Sequence, residues 1–250
     1  MKYNRHFGQN LMRSYYFIER ILNISDIKHE DTILEIGAGE GDLREGLCER
    51  ASKVISYEVD ERLFLLAKKK LSKYKNLVLL NENGFKSTFR FNKIVSNLPY
   101  SQSRKFVFWL TEKEFESATV VLQKEFVEKL TSQPGVKSYR AISVISQLSF
   151  KMSTFDQIPP DAFFPTPKVY SYIVKFEALK PSLLDYRSKS LLRLCFSFKR
   201  KKICNIIKYF SKDVSSLPDE IKSLKEKRID HLSPKDCLTL LGFLSSFEVQ

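Results

Sequence analysis

Between residues 32 and 130, short apolar runs alternate with helix-patterned segments, and this alternation confines the chain to a few folds. Strands are expected at 32–36, 53–57, 77–80, 93–96 and 118–122. Helices are expected at 42–51, 61–71, 103–110 and 125–130, after a first helix at 14–24 with Ser14 as its N-cap. Apolar strands separated by helices imply a parallel sheet covered on both faces. A loop at 132–135 leads to a helix at 141–150. Two final strands follow, at 151–157 and 169–176. The proline-rich segment 159–167 between them reads as too stiff for helix or strand. Beyond Pro181 helical patterns dominate, at 188–198, 201–210 and 234–243. A boundary near 178–185 then divides the chain into domains 1–180 and 181–250.

The chain has 250 residues and is 43% hydrophobic, enough to bury a real core. It has no apolar run of about 18 residues, so no membrane-spanning helix is expected. Its first residues lack the apolar core of a signal peptide. The cysteines Cys48, Cys195, Cys204 and Cys237 form no C-x-x-C pair, and no histidine lies at ligand spacing. They read as reduced thiols of a cytosolic protein, with no metal site. The formal net charge is +13. Residues 181–250 hold 14 Lys and Arg against 8 Asp and Glu, and the remainder holds 28 against 21. The excess is densest at the C-terminal end and favours a polyanionic partner.

Two strand ends carry the chemistry. The first runs into Glu35-Ile36-Gly37-Ala38-Gly39-Glu40-Gly41, where glycines allow a ligand to approach the backbone closely. Glu58 follows the next strand, where a carboxylate can accept from both hydroxyls of a ribose. A dinucleotide fingerprint would need glycine at position 42, which is Asp42, and an acid there is unfavourable beside a pyrophosphate. The pattern suits S-adenosylmethionine, which has no phosphate and carries a sulfonium cation.

The second strand end is Asn97-Leu98-Pro99-Tyr100. The Asn97 side-chain oxygen and the Leu98 carbonyl can each accept one hydrogen of an exocyclic amine. That frees a lone pair otherwise spread into an aromatic ring. Pro99 fixes φ and stiffens the turn, and Tyr100 offers a face on which a base can stack.

Together these residues resemble the ribosomal RNA adenine dimethyltransferase family. The resemblance covers almost the whole chain, from His6-Phe7-Gly8-Gln9-Asn10-Leu11-Met12 through Glu35–Gly41, Glu58 and Asn97–Tyr100. It continues through 121–125, 139–144 and 159–169. Phe198-Lys199-Arg200-Lys201-Lys202 and Arg228-Ile229-Asp230-His231-Leu232-Ser233 resemble the small-subunit branch, and Gln133-Pro134-Gly135 its archaeal and eukaryotic form.

The resemblance implies a Rossmann-like class I S-adenosylmethionine-dependent methyltransferase fold with a small all-helical C-terminal domain. It implies cofactor contacts from Gln9, Asn10, Met12, Gly37, Glu58, Asn83 and Asn97. It implies that Asn97, Leu98, Pro99 and Tyr100 present the target adenine, with Phe163 stacked on the face opposite Tyr100. Of Phe163 and Phe164, one is expected in the core and the other in function. Lys199, Arg200, Lys201 and Lys202 are implied to hold the RNA backbone. The implied partner is ribosomal RNA in an immature small subunit, met in the cytoplasm by a monomer without a metal.

Three positions depart from the family. Asn83 stands where an aspartate is usual, which should weaken cofactor binding by roughly 1 kcal/mol. Tyr170 replaces a polar residue, and Ala38 a frequent proline. Two rival readings remain at this level. One is methylation of large-subunit RNA. The other is a non-catalytic RNA-binding assembly factor on the same fold.

Overall fold

A computed structural model of the chain describes residues 10–37, 39, 41–180, 182–210 and 217–247. In chain order the elements begin with β1 (Leu11–Met12), α1 (Tyr15–Ser25), β2 (Thr32–Ile36), α2 (Asp42–Arg50) and β3 (Lys53–Tyr57). Next come α3 (Glu61–Lys70), β4 (Leu77–Leu80), β5 (Lys93–Ser96), α4 (Ser103–Leu110), β6 (Ser117–Gln123) and α5 (Lys124–Leu130). Then follow α6 (Ala141–Ser149), β7 (Phe150–Ile158), β8 (Phe163–Phe164) and β9 (Ser171–Ala178). The chain continues through α7 (Tyr186–Ser197), α8 (Ile203–Phe210), α9 (Asp219–Lys222) and α10 (Pro234–Leu244).

These elements gather into two compact units. The first runs to Val127 and resumes over Lys151–Ala178. It contains a seven-stranded sheet of order β4-β3-β2-β5-β6-β9-β7. The ladders from β4 to β6 are parallel, as the alternation requires. β9 departs from that expectation and runs antiparallel to β6, with Val120 opposite Val174. It is reached from β7 through the 159–170 segment rather than through a crossover helix, and parallel pairing needs such a crossover.

The core is built as the apolar pattern dictates. Ile18, Ile21 and Leu22 of α1 pack with Leu43, Leu47 and Cys48 of α2 over Ile33, Val54, Val95 and Val121 of the strands. Ser14 takes the expected N-cap position of α1, but its side chain makes no capping hydrogen bond. The proline-rich segment is more ordered than its composition suggests. Pro160–Ala162 forms a 3-10 turn, and Phe163–Phe164 is a short strand. Prolines fit the first positions of a turn, and the two phenylalanines between Pro160 and Pro165 keep N–H groups that can pair. They pair antiparallel with β1, Met12 opposite Phe163 and Leu11 opposite Phe164. Arg13 N donates to Ala162 O as well (2.8 Å).

The second unit comprises Glu128–Phe150 and the chain from Leu179 onward. The sequence pattern instead assigns 128–150 to the first domain. Side chains explain the difference. Tyr139 is fully buried, donates its hydroxyl to Leu232 O (2.8 Å), and meets the Phe196 ring edge-on at 5.8 Å. Gly135 N donates to Asp230 O (2.7 Å). All four cysteines are free, and Cys48, Cys195 and Cys237 are buried. Burial pushes each of these three thiols up to about 12. No described helix is long and apolar enough to cross a membrane.

Candidate active site

The strand order reverses direction at β2, which has β3 on one side and β5 on the other. Open α/β sheets bind ligands at the carboxyl ends of strands beside such a reversal. Here a cavity of about 370 Å³ opens there, with Gly37, Glu58, Asn83, Asn97, Asn10 and Met12 in its wall. β2 and β5 are in register at Ile33–Lys93 and Leu34–Ile94. Further along, the Ile36 N–H donates to the buried Ser96 hydroxyl (2.9 Å) rather than to a backbone carbonyl. A side chain thus closes the sheet where the strands part to form the crevice.

The glycines meet the geometric demands of the loop after β2. Gly37 has φ +82°, and its N–H donates to Tyr57 O (2.9 Å). A Cβ at Gly37 would lie 3.3 Å from Pro99 Cδ, so the loop and the Asn97–Tyr100 turn are in close contact. A Cβ at Gly39 would fall 2.7 Å from the Leu11 side chain, at φ +54°. The Gly39 N–H donates to Glu58 Oε2 (2.9 Å) and the Asp60 N–H to Glu58 Oε1 (2.9 Å). An ionised carboxylate only accepts hydrogen bonds, and these two bonds orient Glu58.

Glu58 is 2% exposed. Burial raises its carboxyl above the ordinary range, and the Asp60 and Gly39 N–H groups pull it only part of the way back. The two consequences of lowering pH are opposite in sign. The folded state holds the proton more tightly than the unfolded chain, so this group's contribution to stability rises on acidification. A ligand that needs two acceptors from Glu58 binds less well over the same interval. Titration calorimetry with S-adenosylhomocysteine should show affinity falling before the usual carboxylate range is reached, and Glu58→Gln should remove that limb. An affinity flat down to that range would contradict this role for Glu58.

The Asn97–Tyr100 turn is held from three sides. The Asn97 amide nitrogen donates to Asn10 O (3.0 Å), which orients the side chain and leaves its oxygen to accept. Leu98 is buried, and Pro99 O accepts from Gln102 N (2.8 Å). The Tyr100 hydroxyl meets the Ser171 hydroxyl at 2.7 Å. Burial raises the Tyr100 hydroxyl, so it stays neutral, and the bond to Ser171 opposes the shift.

Phe163 is 2% exposed and belongs to the core cluster, whereas Phe164 is 49% exposed. Phe163 stands edge-on to Tyr100, centroids 6.4 Å apart and planes at 71°. In this arrangement Phe163 buttresses Tyr100, and the two rings do not present the parallel faces that stacking on both sides of a base requires.

Asn83 caps the short turn at Gly84–Lys86, accepting from Phe85 N (3.1 Å) through its side-chain oxygen. Gln9, Ala38 and Glu40 lie outside the described residues. Sequence reasoning did not single out Ser96, Ser171 or Asn81, whose amide donates to Glu58 O (2.7 Å). The signal for the two serines was present in their positions. Each is a small hydroxyl residue at one end of its strand.

Among the basic residues of the second unit, Arg200 and Lys201 are exposed, Lys199 is half-buried, and Lys201 rests over the Phe198 ring at 5.1 Å. Lys202 is paired with Glu226 at 2.7 Å.

A switch-point crevice, a glycine loop that bonds a buried acid, and a rigid Asn-Leu-Pro-Tyr turn together define a class I methyltransferase. Comparison with known proteins agrees. The crystal structure of a dimethyladenosine transferase from Plasmodium falciparum matches with a TM-score of 0.81 at 29% identity, covering 94% of this chain and 98% of that one. The crystal structure of the 23S rRNA methyltransferase ErmE matches with a TM-score of 0.71 at 27% identity, covering 94% and 100%. A probable ribosomal RNA small subunit methyltransferase A of Thermococcus gammatolerans is 32% identical over 248 residues, 96% of this chain and 89% of that relative. The model of the ribosomal RNA adenine dimethylase family matches residues 1–245, and the chain belongs to that family.

Membership implies S-adenosylmethionine as the methyl donor, and the residues present fit it. The buried Glu58 carboxylate suits a vicinal diol. Two glycines leave room where side chains would collide.

Proposed function

We propose that this protein dimethylates the N6 amine of adenines in small-subunit ribosomal RNA. The observation that carries this reading is the Asn97 amide, fixed by the Asn10 carbonyl with its oxygen left to accept, one turn from the buttressed Tyr100 ring. Asn97 and the Leu98 carbonyl accept the two amine hydrogens. That favours a more tetrahedral nitrogen with its lone pair exposed. Tyr100 stacks on the unstacked base, as enzymes that act on a base require, and Phe163 stiffens that wall.

S-adenosylmethionine, when bound, supplies a methyl group on a sulfonium. Asn83, Glu58 and the Gly37 loop follow β4, β3 and β2, neighbouring strands of the sheet. They offer successive sites for adenine, ribose and methionine, and Asn97 lies at the end of the next strand, β5. The substrate proton leaves only after the amine has been alkylated and made strongly acidic, so no side chain has to hold it beforehand. A second round needs only rotation of the monomethylated amine.

The basic segment of the second unit contacts the RNA backbone through Lys199, Arg200 and Lys201, while Lys202 is already paired with Glu226. Reversing the charge of the first three should weaken RNA binding for all sequences. It should also reduce the slope of log affinity against log salt by about 3, near one per lost phosphate contact. Filter binding across a salt series checks this, and an unchanged slope would remove these residues from the interface. Ribosomal RNA as substrate places the protein with ribosome assembly in the cytoplasm.

The reading is tested with labelled S-adenosylmethionine and purified ribosomal subunits lacking the modification. Label in dimethyladenosine from the small subunit is the expected result. Label confined to the large subunit would transfer the activity to that RNA. Tight binding with no label would make the protein an assembly factor.

A further inference from the structure

Two half-exposed aromatic side chains border the contacts that hold Tyr100, and the chemistry described above uses neither. Tyr100 is held by Phe163, edge-on at 6.4 Å, and by the Ser171 hydroxyl at 2.7 Å. Phe163 and Ser171 are both buried. The residue after Phe163 is Phe164, 49% exposed, and the residue before Ser171 is Tyr170, 47% exposed. Successive residues of an extended chain point to opposite sides, so each partner that turns inward to Tyr100 sends its neighbour out to solvent.

Register keeps both rings at the end of the sheet that carries the site. Phe164 lies opposite Leu11 in the β1–β8 ladder, next to Asn10, whose carbonyl fixes the Asn97 amide. Ser171 pairs with Gln123, the last residue of β6, so Tyr170 stands beyond the carboxyl end of that strand. Its carbonyl there accepts from Lys124 N (2.9 Å). β5 runs parallel to β6 and releases Asn97 at the same end. Exposed apolar side chains are common singly, so position has to decide. Lys168 is exposed and lies between the two rings in the chain, an interleaving of basic and aromatic groups that suits RNA. Tyr170 also stands at one of the positions where the chain departs from its family's polar residue. A base extruded from its strand leaves its neighbours without a stacking partner, and aromatic side chains can take that place.

We infer that Phe164 and Tyr170 stack on unpaired nucleotides adjoining the target adenosine. The inference rests on the dimethyltransferase reading and adds to it a subsite for the RNA outside the pocket that takes the reacting base.

The test is single-turnover methylation of unmodified small subunits by the full chain at subsaturating enzyme, where the rate reads RNA binding and base extrusion together. Phe164→Ala and Tyr170→Ala should each slow it on the order of 10-fold, the worth of stacking one base. The factor should be the same across a salt series, because stacking releases no counterions. Tyr170→Phe keeps a ring and should retain most of the wild-type rate. Tyr170→Leu is apolar without an aromatic face and should not. Titration calorimetry with S-adenosylhomocysteine should give the wild-type affinity for all these variants, which shows that each is folded. A double alanine variant with the wild-type rate overturns the inference. A Tyr170→Leu protein as fast as Tyr170→Phe overturns it too, since any apolar contact would then serve. Rate and S-adenosylhomocysteine affinity lost together would make the two rings part of the scaffold, which also overturns it. A wild type that labels no adenine refutes the methyltransferase reading itself, and this inference with it.

Discussion

Asn97→Ala is expected to slow methyl transfer by roughly 10²–10³-fold, the usual loss when one preorganised polar group is removed from a reacting centre. RNA affinity should stay close to the wild-type value. The substitution takes away the acceptor that holds the amine and releases the bond to Asn10 O. It leaves Tyr100 on Ser171 and the basic segment of the second unit untouched. Single-turnover kinetics on unmodified small subunits measures the first quantity, and filter binding the second. Equal losses in both would mean that Asn97 supports the structure instead of acting on the amine. Asn97→Asp separates the roles further. It keeps an acceptor but cannot donate to the Asn10 carbonyl, so activity should fall while remaining above that of the alanine variant.

Asp31→Ala should be the most destabilising substitution away from the crevice, costing about 3–5 kcal/mol as removal of one member of a buried ion pair does. The Lys93 ammonium donates to the Asp31 carboxylate (2.7 Å) and to Asp26 O (2.6 Å), and Asn92 donates to the other carboxylate oxygen. The side chains of Lys93 and Asp31 are 8% and 3% exposed. Asn92 also accepts from Thr32 N (2.8 Å), so the cluster joins the starts of β2 and β5, opposite the end that forms the site. Removing Asp31 leaves a buried ammonium with only a carbonyl.

Burial alone would raise the Asp31 carboxyl. The Lys93 ammonium, the Lys28 N–H and the Asn92 amide together hold it below its ordinary value. Its contribution is therefore present above the unfolded-state value and is lost as pH falls through the lower, folded one. Urea unfolding near neutral pH should give the full deficit for Asp31→Ala. On acidification the gap between variant and wild type should narrow. A deficit independent of pH would point to lost packing instead of lost charge.

The sequence carried most of the sheet. The bounds of β2, β3, β4, β5 and α4 were readable to the residue, because each apolar run is short and sharply ended. It did not reveal that β9 reverses. A run such as 169–176 reports burial, and direction depends on the connection that precedes it. It also hid the β1–β8 pairing, since two residues are too few to show a period, and prolines on either side of Phe163–Phe164 argued against a strand. The polar residues of the site announced themselves through local motifs, Glu58 after its strand and Asn97 in its turn. Those that act across the fold did not. Ser171 is 71 residues from Tyr100, and Ser96 is 60 from Ile36, so only the folded chain shows what each one holds. Phe163 and Phe164 could not be told apart before strand alternation assigned one to the core and the other to the surface.

A crystal structure of the protein with S-adenosylhomocysteine tests the central claim most directly. The account predicts the ribose hydroxyls on the Glu58 carboxylate, the adenine edge at Asn83, and the sulfur turned toward the Asn97 side-chain oxygen. A ligand reversed in the crevice, with adenine beside Asn97, or one bound elsewhere on the chain, would contradict it.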